Sequence, residues 1–206
     1  MKRLLAINGS YRPDGIMDQA IAAAAQAAEA AGGQVEVIAL RDYPIGFCRN
    51  CRACTQLPGT APGQCTQQDG MSALIERIEA ADAYILASPT NFFSVTALFK
   101  RFMERLVVYA YWPWGRPGPQ LRRTPAGKRA ILLASCAAPG LMGRFLYGTL
   151  KQLKTTAQTL GARPIGSIIV GRVAHHPHAE LDSRSKARIR DLVEKLLQHS
   201  GPSAGG

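Results

Sequence analysis

Four cysteines are the residues whose type and spacing most directly indicate chemistry. Cys48, Cys51 and Cys54 form two overlapping C-x-x-C steps, and Cys65 follows after a gap of ten residues. Four closely spaced thiolates are the ligands of an iron–sulfur cluster and also of tetrahedral zinc. A flexible loop with reduced, unligated thiols explains the same residues, so iron–sulfur, zinc and free thiols all stay open. The fifth cysteine, Cys136, is predicted to be a small buried residue.

The glycine-containing segment GSYRPDG, residues 9–15, is a candidate binding site for a phosphate group. It follows a predicted strand and precedes a predicted helix, so backbone N–H groups and the positive end of the helix meet there. Ser10 adds a hydroxyl donor and Arg12 adds a guanidinium. The segment matches neither GxxxxGK[ST] nor GxGxxG, which argues against an ATPase and against a standard dinucleotide fold. An ordinary strand-to-helix turn remains the alternative.

A second candidate loop follows the third predicted strand. Pro89 fixes the backbone, Asn91 and Ser94 offer hydrogen bonds, and Phe92 or Phe93 offers a flat apolar surface suited to a planar ring. In an open sheet of parallel strands, ligands bind at the carboxyl ends of the strands, near the point where the strand order reverses. We therefore expect the two loops to face one crevice.

The elements that must position these loops alternate between short apolar runs and longer amphipathic segments. Strands are predicted at residues 3–7, 35–40, 83–88, 130–134 and 165–170. Helices are predicted at residues 17–31, 71–80, 95–108, 144–160 and 183–198. Phe99 and Phe102, at helical spacing, are predicted to pack in the core. Strict alternation of strands and helices predicts an α/β fold, a three-layer α/β/α sandwich around a parallel sheet.

Length and composition set the limits of the fold and of its partners. A chain of 206 residues, 47% hydrophobic, is expected to form one domain over residues 1–200, with a disordered tail at 201–206. The net charge of +11 is spread along the chain without an aromatic–basic signature, so a solvated basic surface is expected rather than a nucleic-acid site. No apolar run reaches the roughly 18 residues of a membrane span. The first apolar run is too short for a signal peptide, and a cytoplasmic protein is expected.

The two loops together resemble those of a known family. GSYRPDG and SPTNFFSVTALFKRFMER are similar to the corresponding segments of the NAD(P)H-dependent FMN reductase family of flavodoxin-like proteins. The cysteine run followed by QQDGM resembles the cysteine-bearing subgroup related to the iron–sulfur flavoproteins. The resemblance implies a five-stranded sheet in the order 2-1-3-4-5, FMN at its carboxyl edge, and a homodimer or homotetramer with FMN near the interface. The aromatic insertion at residues 109–118 is expected to contribute to that interface.

The resemblance also assigns residues to the cofactor. Those that fall on the phosphate loop are Ser10, Arg12 and Gly15, and those that fall beside the flavin ring are Pro89, Thr90, Asn91, Phe92 and Ser94. A third loop, after the fourth strand, maps to residues 135–140 and contributes Gly140. Two positions that often hold polar residues in the family are Ile16 and Met17 here, which removes two polar contacts to the phosphate.

The function implied is hydride transfer from NAD(P)H to FMN, followed by reduction of a quinone, a free flavin or another electron-poor acceptor. The flavin carries the chemistry, so no catalytic acid, base or nucleophile is assigned. The alternative is an electron carrier with a [4Fe–4S] cluster on Cys48, Cys51, Cys54 and Cys65; a flavodoxin-like module without cofactor is a third possibility. The histidines of AHHPH, residues 174–178, are expected to lie in a solvated loop and to hold no metal.

Overall fold

Five parallel strands form the centre of the fold in a computed structural model that describes residues 1–124, 127–176 and 178–198. In chain order, the strands are Arg3–Asn8 (β1), Gln34–Ala39 (β2), Ala83–Asn91 (β3), Ser94–Val95 (β4), Ala110–Tyr111 (β5), Gln120–Leu121 (β6), Lys128–Ser135 (β7) and Ala162–Val170 (β8). The main sheet has the order β2-β1-β3-β7-β8, β4 pairs antiparallel with the end of β3, and β5 and β6 form a separate two-stranded sheet. The predicted strand order is confirmed.

In the part of the chain that the structure describes, six α-helices cover the two faces of the sheet. They are Ile16–Ala30 (α1), Met71–Ala80 (α2), Ala97–Arg105 (α3), Gly140–Leu146 (α4), Thr149–Thr159 (α5) and Ser183–Gln198 (α6). Side chains alternate between the faces of a strand, so Leu4 of β1 packs in the cluster with α1 and α6, whereas Leu5 packs in the cluster with α2, α3 and α5. The central strands are buried on both sides, as their continuous apolar sequence predicts.

Two predicted helices have different bounds. The prediction of one helix over 144–160 is wrong, because the helix is interrupted between Leu146 and Thr149. The backbone N–H of Gly148 donates to the carbonyl of Phe93 at 2.9 Å, which takes this residue out of a continuous helical ladder. The helix predicted over 95–108 is shorter, since α3 ends at Arg105 and a 3₁₀ turn, Leu106–Tyr109, follows. The predicted core residues Phe99 and Phe102 are fully buried.

Thr96 joins the turn after β1 to the start of α3. Its hydroxyl donates to the carbonyl of Gly9 at 2.6 Å and accepts from the backbone N–H of Phe99 at 3.2 Å, so it caps the helix as well. Phe99 lies so close to Gly9 that an added Cβ would approach its Cβ to 2.8 Å. Glycine is therefore required at this position, and the two candidate loops are held side by side.

No helix among the described residues is both long and apolar enough to cross a lipid bilayer. The tail expected to be disordered, 201–206, lies outside the described residues.

Candidate functional site

A cavity of about 580 Å³ lies at the carboxyl ends of β1, β3 and β7. Its lining comes from the turn after β1, the start of α1, the ends of β3 and β7 and the segment after β8. The lining residues are Ser10, Tyr11, Arg12, Pro13, Asp14, Gly15, Ile16, Met17, Gln19, Pro89, Asn91, Ser135, Val173, His178, Ala179 and Glu180. The two loops predicted to share a crevice do share one. The position agrees with the general rule for ligand sites in open α/β sheets.

The turn after β1 is shaped by its own polar groups. The backbone N–H of Ser10 donates to Oδ1 of Asn8 at 2.9 Å. The Ser10 hydroxyl accepts from the backbone N–H of Arg12 at 3.1 Å and contacts the Arg12 carbonyl at 3.2 Å. Because this hydroxyl is buried and already engaged, its main role is to fix the turn.

The start of α1 offers the groups that bind anions. Gly15 is the N-cap residue, and no side chain caps the helix. Uncapped backbone N–H groups and the helix dipole favour a negative ligand there. Asp18 in the first turn would oppose such a ligand, but its carboxylate is bound by Arg41 at 2.9 and 3.1 Å. That same contact raises the pKa of Arg41. The uncapped start of α1 therefore suits an anionic group such as a phosphate.

The end of β3 and the start of β4 contribute some residues to the cavity and others to contacts with α5. Pro89 and Asn91 line the cavity. The hydroxyls of Thr90 and Thr149 are hydrogen-bonded at 2.8 Å, and the hydroxyl of Ser94 donates to the side chain of Gln152 at 2.9 Å. These two hydroxyls therefore attach the β3–β4 hairpin to α5.

Phe92 and Phe93 form the tip of the hairpin between β3 and β4. Their φ angles are +47° and +65°, and their exposed fractions are 96% and 64%. Left-handed backbone at two successive residues suits a two-residue hairpin, but it is costly for aromatic residues. The Phe93 ring contacts Tyr147 edge-on, with centroids 5.5 Å apart.

Five of the nine residues predicted to bind the cofactor line the cavity: Ser10, Arg12, Gly15, Pro89 and Asn91. The other four, Thr90, Phe92, Ser94 and Gly140, are not among its lining residues. Sequence reasoning missed Gln19, His178 and Glu180. His178 and Glu180 lie beside the cavity in a segment that Gln19 of α1 binds through Ala179 and Leu181, and no local sequence pattern indicates such a long-range contact.

The four cysteines line a second, much smaller cavity, of about 20 Å³, together with Arg49, Arg52 and Arg105. All five cysteines are thiols without a disulfide bond. Burial, and then the neighbouring thiols led by Cys65, raise the pKa of Cys54 to about 11. Among the described residues, no three His, Cys, Asp or Glu side chains are placed to hold a metal ion. Four thiols fit a thiolate-bound cluster in the type and number of donors. A cavity of about 20 Å³ has room for roughly one water molecule, so the loop would have to widen to hold a cluster.

A buried ion pair holds the cysteine loop, which we define as residues 40–70 between β2 and α2, against α3. Arg105, 1% exposed, donates to the Asp69 carboxylate at 2.6 and 3.0 Å, to the Gly46 carbonyl at 3.0 Å and to Sγ of Cys65 at 3.5 Å. Asp69 also accepts from the backbone N–H of Gly46 and Met71. These hydrogen bonds, the one from Arg105 above all, lower the pKa of Asp69 to about 2.

The cysteine loop is joined to the aromatic insertion through Arg52. The guanidinium carbon of Arg52 lies 3.8 Å from the ring centre of Trp112 and 4.2 Å from that of Trp114. A guanidinium N–H of the same residue donates to the carbonyls of Trp112 and Pro113. Such stacks stabilise by about 0.5–2 kcal/mol each. The tryptophans predicted to form a subunit interface thus make an intramolecular contact.

A model of the NADPH-dependent FMN reductase family matches residues 2–176. Two similar curated proteins are each named iron–sulfur flavoprotein. One, from Archaeoglobus fulgidus, is 34% identical over 111 residues, which are 54% of this chain and 48% of that protein. The other, from Methanocaldococcus jannaschii, is 30% identical over 132 residues, 63% and 61% of the two chains. The chain spans about half the length of the curated relatives it matches.

Solved structures share the fold. The NAD(P)H:quinone oxidoreductase from Methanothermobacter marburgensis superposes with a TM-score of 0.63 at 17% identity, covering 96% of this chain and 97% of that one. An azoreductase from Bacillus anthracis superposes with a TM-score of 0.65 at 13% identity, covering 95% and 100%. At such low identities the likeness concerns the fold alone, and it supports the flavodoxin-like prediction.

The ion pair of Asp69 predicts a specific pH dependence of stability. Asp69→Asn should lower the free energy of unfolding by ~3 kcal/mol at pH 7, because Arg105 loses its charged partner. The folded pKa of Asp69 lies below its unfolded value, so the stabilisation is complete above about pH 5 and is lost as the pH falls towards 2. The difference between the two proteins should therefore shrink by about 2 kcal/mol over that window.

Urea unfolding of both proteins from pH 7 to pH 2 measures this difference. Asp191→Asn, at an exposed carboxylate on α6 whose nearest arginine contact is 3.8 Å, is the matched control and should show no comparable change. A difference for Asp69→Asn that stays constant with pH would contradict the assignment.

Proposed function

We propose, because this chain belongs to the NADPH-dependent FMN reductase family, that it is an oxidoreductase that binds FMN. It takes hydride from NAD(P)H and passes reducing equivalents to a quinone, a flavin or another electron-poor acceptor. The observation that carries the proposal is the cavity of about 580 Å³, which combines an uncapped helix start with the polar ends of two strands.

The chain's own residues would divide the work of binding between two ends of the cavity. At the α1 end, Arg12 and the backbone N–H groups after Gly15 would hold the phosphate. At the β3 end, Pro89 and Asn91 would contact the ring, with Asn91 as its hydrogen-bonding partner. When bound, FMN would supply the chemistry of hydride transfer and of electron transfer. The side chains therefore have to bind and orient, and no acid, base or nucleophile among them is required.

Flavin content and reductase activity of the purified protein test this proposal. We expect bound FMN and oxidation of NADH or NADPH in the presence of a quinone. Arg12→Ala should lower the affinity for FMN by about tenfold, because a charge-assisted hydrogen bond to phosphate is lost. Arg188→Ala, at an exposed position on α6, is the matched control and should retain FMN. A colourless protein that does not bind added FMN would rule the function out.

A second candidate function is an electron carrier whose iron–sulfur cluster is bound by Cys48, Cys51, Cys54 and Cys65. Two observations favour it: the four thiols line one cavity, and Arg49, Arg52 and Arg105 lie around them. Cationic side chains would offset the negative charge of four thiolates. The names of the curated relatives point the same way. The cluster would supply single-electron transfer, and the cysteine loop would have to open to admit it.

Iron and acid-labile sulfide, assayed on protein purified without oxygen, test this candidate. About four irons per chain are expected if a cubane cluster is bound. Cys51→Ser should abolish iron binding, whereas Cys136→Ser, which changes a cysteine outside the cavity, should leave it unchanged. Flavin without iron in the anaerobic protein would leave the reductase as the only one of the two functions.

We also propose that the chain assembles as a homodimer or homotetramer. Leu141, Met142, Phe145 and Leu146 of α4 are exposed, and so is Phe92 of the neighbouring hairpin. Several exposed apolar side chains on one short helix are typical of a protein interface. Phe145→Asp should shift the mass measured by light scattering to that of one chain, whereas Leu57→Asp, at an equally exposed residue of the cysteine loop, should not. A monomeric unsubstituted protein would contradict the proposal.

A further inference from the structure

The phosphate end of the cavity has few side-chain donors of its own. Ile16 and Met17, the first two residues of α1, are buried and apolar, and they pack in the core with α6. The hydroxyl of Ser10 is engaged within its own turn. Arg12 and the backbone N–H groups thus carry most of the binding of an anion. A dianionic phosphate calls for a further donor.

The segment after β8 supplies a wall at this end of the cavity. We call residues 178–180 the C-terminal wall; all three of them, His178, Ala179 and Glu180, line the cavity. The family match ends at residue 176, so the wall lies beyond the part of the chain that the family describes.

Gln19 fixes the C-terminal wall against the first turns of α1. Its side-chain N–H group donates to the carbonyl of Ala179 at 3.1 Å and to the carbonyl of Asp14 at 3.2 Å. Its side-chain oxygen accepts from the backbone N–H of Leu181 at 2.8 Å. One amide therefore ties the wall to the turn that precedes α1, which places the wall at the phosphate end rather than at the ring end.

The charges around this end are mixed. Arg12 is the cationic lining residue of the turn, whereas Asp14 and Glu180 are carboxylates on the same lining. Two carboxylates weaken the binding of a dianion. A histidine N–H in the wall would offset part of this effect, since it is a hydrogen-bond donor to phosphate.

We propose that His178 is a phosphate-binding residue, which donates from the C-terminal wall to the phosphate monoester of FMN. This inference rests on the proposed FMN function and deepens it, because it makes the C-terminal wall a determinant of selectivity for FMN over flavins that lack a phosphate. His175 and His176, in the same segment, are exposed and are not lining residues, so they take no part.

Titration of the full chain with FMN and with riboflavin, followed by flavin fluorescence, tests the proposal. The two ligands share the ring and the ribityl chain and differ in the phosphate. His178→Ala should raise the Kd for FMN by about tenfold and leave the Kd for riboflavin unchanged. His176→Ala, the matched control, should change neither. Both histidines are exposed, so both variants should fold, and thermal unfolding monitors this.

Three results would overturn the proposal. One is an unchanged Kd for FMN in His178→Ala, and another is an equal loss of affinity for FMN and riboflavin, which would indicate a general disturbance of the cavity. The third is an equal effect of His176→Ala, which would indicate a non-specific effect of surface charge. Failure of the unsubstituted chain to bind FMN would instead refute the proposed function itself, and this outcome is visible before any variant is made.

Discussion

The contact between the Thr96 hydroxyl and the Gly9 carbonyl is the constraint on which the site depends. At 2.6 Å it joins the turn after β1 to the first turn of α3, and the same hydroxyl caps that helix. The close packing of Phe99 on Gly9 leaves no room for a side chain. Two loops from distant parts of the sequence are thereby fixed to one edge of the sheet. The cavity between them is a consequence of this buried junction rather than of either loop alone.

Local sequence predicts the scaffold well because the scaffold depends on local patterns. Continuous apolar runs predict the central strands, and Gly and polar residues predict their ends. The helix over 144–160 could not be predicted correctly, because its break depends on a hydrogen bond between Gly148 and Phe93, more than fifty residues away. The same limit applies to the site. Arg12 lies in the turn after β1 and Asn91 at the end of β3, where a local pattern indicates a crevice. The segment of His178 is instead tied to α1 by hydrogen bonds of Gln19 with residues about 160 positions further along the chain, which no local pattern indicates.

The cysteine loop illustrates the difference between a motif and a site. The spacing of the cysteines indicates that four thiols can meet, and they do line one cavity. The sequence gives no sign that Arg105 is buried beside them or that Asp69 keeps its charge compensated. A buried guanidinium is tolerated only with such partners. The loop is therefore organised around an ion pair. Its conformation does not depend on disulfide bonds between the cysteines.

Arg52 gives this loop an optical property. The chain has two tryptophans, and both stack on the guanidinium of this one residue, which lies between Cys51 and Cys54. Indole emission is sensitive to a nearby charge and to exposure to water. The tryptophan fluorescence of the protein therefore originates at a residue of the cysteine loop, and the molecule contains a built-in reporter of any rearrangement of that loop.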